Sequence, residues 1–305
     1  MSTSTTPSTP HHITRPLDTL AAVTVVLLCL SWGFNQVAVK LAIPDIPPLI
    51  QAALRSFGAT VLVAGWCWLR GIRLLVRDGT LIIGLIAGLL FGGEFLCIYQ
   101  GLAYTTATRA VLFIYLAPFI LVLGSRIFLP ADRFDRWQWL GLSLSFAGMI
   151  VAFGVPTPAL DPRQTLGDLF CVGGAIFWAA TTLTIKASRL NTISPEKVML
   201  YQLVVSAPML AIVAYFAGEQ MTHAPSALAV GALAYQTAWV VSVTFVVWFA
   251  LIKHYSANRV SAFSFLTPLF GVAAGHLVLG EPLTWAFTAA VALVAAGLVL
   301  VNRAK

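Results

Sequence analysis

The chain has 305 residues, 59% hydrophobic and only 10% charged, with a mean hydropathy of +0.89. Soluble globular chains carry about a quarter charged residues, so the composition belongs to a multi-span membrane protein, and the need to satisfy backbone polar groups within lipid favours an all-α fold. In a soluble chain the net charge of +7 would point to nucleic acid; here no nucleic-acid partner is expected, and the charge marks the cytoplasmic side of a bilayer.

Residues 1–18 open with MSTSTTPSTPHHITRP, a polar Pro/Thr-rich stretch without the apolar core of a signal peptide. It reads as a short disordered cytoplasmic tail. A helix needs about 20 apolar residues to cross the hydrocarbon layer. Ten such runs follow: 19–41, 47–69, 79–102, 106–128, 136–155, 167–187, 196–217, 227–250, 257–279 and 284–302. The breaks carry Pro, Gly and charge, as in PDIPP (44–48), RGIRLLVRDG (70–79) and LPADRFDR (129–136). Placing the N-terminus in the cytoplasm puts 14 of the 18 Lys and Arg on that side and three (Lys40, Arg109, Arg163) on the other, with Arg55 inside a span. That bias fixes the orientation, with both termini cytoplasmic.

The two halves resemble each other. GLAYTTATRAVLFIYLAPF (101–119) aligns without gaps with LIKHYSANRVSAFSFLTPL (251–269), matching Arg109 to Arg259 and Pro118 to Pro268. SWGFNQVAVK (31–40) aligns with FWAATTLTIK (177–186), matching Trp32 to Trp178. These matches, in order, indicate duplication. Each half holds five spans, an odd number, so the second (165–303) lies inverted relative to the first (19–155). Inverted repeats of this kind are typical of secondary transporters, with the site near mid-membrane between them.

Trp32, Arg55, YTTATRAVLFIYLAPF and SANRVSAFSFLTPLFGVAAGHLVLGEPLT (256–284) together resemble the EamA-type exporters of the drug/metabolite transporter superfamily, bacterial aromatic amino-acid exporters among them. The first half departs from the closing motif, with LPADRFD where the second has LGEPLT, so that Asp132 stands in for Glu281. The resemblance covers the chain beyond the tail. It implies ten helices in two inverted five-helix units, a bacterial inner-membrane location, and export of small metabolites, with aromatic and other neutral amino acids prominent as substrates. A monomer fits it. Export of another metabolite or drug class is the alternative; an intramembrane enzyme or a channel belongs to a different class.

Ionisable residues inside spans are functional candidates by default. At 1.5 Å per residue, Glu94 stands about 20 Å up span 3, Asn35 at a similar height, and Arg55 roughly 12 Å below the outer face. All three share one layer. The repeat maps Glu94 onto Thr244, Arg55 onto Gln202 and Asn35 onto Thr181, an asymmetric polar site on a symmetric scaffold. An acid and a base in one cleft suit a zwitterion, its amine at Glu94 and its carboxylate on Arg55. The competing possibility is that the two only neutralise each other. Mid-span aromatics Trp32, Tyr99, Tyr115, Trp178 and Trp239 are candidates to line the same cavity. Pro118 and Pro268, at equivalent places, are candidate hinges.

Cys29, Cys67, Cys97 and Cys171 have no metal or redox spacing. No HExxH, GxSxG or GxxxxGK[ST] motif occurs, so neither an enzyme nor a cofactor is expected, and ATP is not used directly.

Overall fold

The computed structural model describes residues 17–74, 76–105, 107–154, 161–279 and 285–303. The expected tail, over 1–16, and Glu281 with its neighbours lie outside them. Helix α1 (Thr19–Ala42) starts where the Asp18 carboxylate accepts the Ala21 N–H at 2.8 Å. Next come α2 (Pro48–Leu69) and α3 (Leu81–Tyr104). The fourth expected span is two helices, α4 (Ala107–Ile114) and α5 (Ala117–Phe128). Helix α6 (Arg136–Phe153) opens on a capping box made by Asp135 and Gln138.

Helix α7 (Pro162–Ala187) begins five residues before the expected start at 167. Asp161 caps it through the Arg163 N–H at 2.8 Å, and Pro162 occupies a first-turn position where its missing N–H costs nothing. Hydrophobicity alone does not register such a polar first turn. Helix α8 (Pro195–Phe216) follows. The eighth span runs from α9 (Ala227–Ala234) through a π-helical segment (Tyr235–Thr244) into α10 (Phe245–His254). The ninth is α11 (Ala257–Ala262), a 3-10 turn (Phe263–Phe265) and α12 (Leu266–Leu279). The last is α13 (Trp285–Asn302).

Among the described residues nine helical stretches are long and apolar enough to cross a membrane. Helix α6 is not one of them: it has 18 residues and opens on the polar-aromatic run Arg136, Trp137, Gln138, Trp139. Large apolar side chains such as Trp68, Phe216 and Trp285 point outward, as a lipid-facing surface requires.

Across the halves, α3 packs on α7 and α8, α1 on α12 and on the eighth span, α5 on α7, α2 on α8 and on the eighth span, and α6 on α13. Exchanging the first five spans with the second five turns this set of contacts into itself. Glycines set the closest approaches. A Cβ at Gly84 would lie 2.5 Å from the Tyr201 ring, and one at Gly88 2.6 Å from the Tyr201 carbonyl oxygen. With Gly92 they form a small-residue row that seats α3 on α8. Gly141 and Gly297 do the same where α6 crosses α13.

Candidate functional site

The helices enclose a cavity of about 230 Å³. Eight residues expected at the site line it: Trp32 and Asn35 on α1, Arg55 on α2, Glu94 and Tyr99 on α3, Tyr115 after α4, and Trp178 and Thr181 on α7. Both halves of the chain contribute. Three others stand elsewhere. Gln202 is fully buried, its amide donating to the Val198 carbonyl at 3.1 Å. Thr244 lies behind the wall, where its hydroxyl accepts the Trp32 indole N–H at 2.8 Å. Trp239 is not in the cavity: it is half-exposed on the outer surface, donating to the Ser31 hydroxyl at 3.0 Å. The π-helical winding around it removes the 100° phase from which a helical face is read.

The charged pair is close but not joined. Among the described residues Glu94 has neither an ion pair within 4.0 Å nor a hydrogen-bond partner. Arg55 is 2% exposed, and its Nε and Nη2 are buried without a hydrogen-bond acceptor. Its Cζ sits 4.1 Å from the centre of the Phe95 ring. The Asn35 Oδ1 is likewise buried and unpaired. A buried guanidinium, carboxylate and amide left unpaired around one cavity are costly unless a ligand meets them.

Sequence reasoning missed the other aromatic residues of the lining: Phe91 and Phe95 on α3, and Phe245, Trp248 and Phe249 on α10. A phenylalanine in a span reads the same whether it faces lipid or a cavity. The available signal was the i, i+4 row Phe91–Phe95–Tyr99 running past Glu94. Trp32 packs edge-on against Trp248, ring centres 5.1 Å apart, and Tyr115 against Trp178 at 5.8 Å.

Polar networks flank the cavity. On one side Asp168 accepts from Arg109 Nε at 3.1 Å, from Arg109 Nη2 and from Thr105 Oγ1 at 2.7 Å, tying α7 to the α3–α4 junction. On the other, Asp132 accepts from Ser256 Oγ and from the Asn258 backbone N–H at 3.3 Å, capping α11 from the opposite half. Near it, Lys186 donates to the carbonyls of Ile252, Lys253 and Tyr255 at the end of α10. In the loop before α3, hydrogen bonds from Lys197 at 2.7 Å and Thr80 at 2.6 Å hold the Asp78 carboxyl well below the usual range.

A multi-span helical bundle around a central, mostly apolar cavity with a few unpaired polar groups is the architecture of a small-molecule membrane transporter. The chain belongs to the EamA-like transporter family, which it matches twice, over residues 19–154 and 165–303. It is similar to an uncharacterized transporter, YvbV, of Bacillus subtilis: 27% identical over 93% of this chain and 92% of that one. It is also similar to a probable amino-acid metabolite efflux pump of Salmonella typhimurium, 24% identical over 90% of this chain and 91% of the other. A solved crystal structure shares the fold with a TM-score of 0.78 at 20% identity, over 92% of this chain and 95% of that one. The protein is therefore a transporter and not an enzyme, and its bacterial relatives include inner-membrane transporters.

Proposed function

We propose that the chain exports amino acids, aromatic and other neutral ones, from the bacterial cytoplasm by alternating access between two inverted five-helix repeats. The observation that carries this reading is the pair Glu94 and Arg55, buried, lining one cavity and unjoined. A zwitterion satisfies both, its ammonium on Glu94 and its carboxylate on Arg55. The aromatic remainder of the lining suits an apolar side chain. The efflux pumps named among the relatives support the substrate class. The double family match and the exchange symmetry of the helix contacts support the inverted repeat, with α6 as the tenth spanning helix.

The test is counterflow of labelled amino acids in proteoliposomes holding the purified full chain, across a panel and at two pH values. Glu94→Gln and Arg55→Gln are each expected to cut flux about tenfold or more, the cost of one lost charge-assisted hydrogen bond. Normal flux in both variants, with normal insertion, would sink the clamp.

A further inference from the structure

Arg55 has no hydrogen-bond acceptor among the described residues, and two of its nitrogens, Nε and Nη2, are buried as well. They form one edge of the guanidinium, the edge whose N–H bonds run parallel and match the two oxygens of a carboxylate side-on. One face of the same group lies over the Phe95 ring, 4.1 Å from its centre. A ring face attracts the cation through its quadrupole and uses none of its N–H donors. Phe95 is itself held between neighbours on its own helix: Phe91, ring centres 4.9 Å apart, and Tyr99 at 6.5 Å. It directly follows Glu94, so α3 carries both the acid and the support for the base.

We infer that Phe95 is a positioning residue: its ring fixes the Arg55 guanidinium by one face and leaves its N–H donors free of protein acceptors, for the substrate's carboxylate to take. The inference rests on the reading that Arg55 takes that carboxylate. A free arginine side chain loses much rotamer freedom when it binds. Holding it in place beforehand removes that cost from each binding event. The selectivity follows from geometry. Support through Arg55 serves only ligands that carry the anion, whereas the ring's own place in the cavity lining serves acid and amide alike, so the ratio of the two affinities reads the support.

The experiment titrates the purified full chain with L-phenylalanine and with L-phenylalaninamide, following tryptophan fluorescence; Trp32, Trp178 and Trp248 line the cavity. The amide keeps the side chain and the amine but lacks the negative charge. Phe95→Leu keeps apolar bulk and removes the ring face. It is expected to weaken phenylalanine binding about tenfold more than amide binding, since any lost wall contact falls on both ligands alike. In counterflow the KM for phenylalanine should rise while the maximal rate holds. Phe95→Tyr, which restores an aromatic face, should recover the acid preference. An equal loss for acid and amide in Phe95→Leu, or no loss, overturns the inference if Arg55→Gln does abolish the preference. Should Arg55→Gln keep the preference, or the unmodified chain show none, the carboxylate contact itself fails and this inference falls with it.

Discussion

Buried polar atoms in a bilayer have no water to turn to, so each one constrains the site. Trp32 illustrates this. Its ring stands in the cavity, packed on Phe245 and Trp248, while its indole N–H reaches Thr244 at 2.8 Å. Where the sequences of the halves are aligned, Thr244 matches Glu94, so one half carries an acid at this position and the other a hydroxyl that anchors an aromatic wall. Thr244→Val keeps the shape and strands the indole N–H. It should lower the thermal stability of the detergent-solubilised protein by about 1 kcal/mol, and Thr244→Ser should restore it; equal unfolding temperatures for Val and Ser would show that the bond contributes nothing. Glu94, Arg55 and Asn35 were legible in the sequence because charge and amide inside apolar runs have no ordinary place there. Trp239 was not, because an aromatic residue does not declare which face of its helix it occupies.

The elements that break are the fourth and ninth spans, and they break at matching places. Helix α4 ends at Ile114, four residues before Pro118, whose ring crowds that carbonyl and which has no N–H to give it. In the ninth span the 3-10 turn Phe263–Phe265 covers Ser264, four residues before Pro268. Tyr115, in the first interruption, and Thr267, just past the second, both line the cavity. We propose that these interruptions are the hinges of alternating access. Pro118→Ala and Pro268→Ala should each heal the local helix and slow counterflow several-fold at unchanged membrane abundance, read by immunoblot of the membrane fraction; unaltered kinetics would leave the prolines as packing features. The paired prolines, and with them the kinks, were visible in the aligned sequences, whereas the π-helical segment was not. That segment packs on α1 and α2, with its Tyr235, Trp239 and Thr244 all bonded to α1.

At the scale of the whole molecule the halves are tied on both sides of the cavity. Asp168 with Arg109 and Thr105 closes one side, and Asp132 with Ser256 and Asn258, together with Lys197 on Asp78, closes the other. Alternating access requires these two sets to face opposite compartments and to be broken in turn. The orientation expected from the basic residues would put Arg73 and Arg189 in the cytoplasm and Arg163, beside the start of α7, outside. All three are exposed, which makes them suitable sites for labelling. In a cysteine-free background, where Cys29, Cys67, Cys97 and Cys171 are replaced, Arg163→Cys should react with a membrane-impermeant maleimide in intact cells. Arg73→Cys and Arg189→Cys should react only after the membrane is opened. The opposite pattern would invert the transporter. Labelling of all three from outside would rule out the five-span inverted halves, because an odd number of crossings must separate the 70–80 loop from the start of α7.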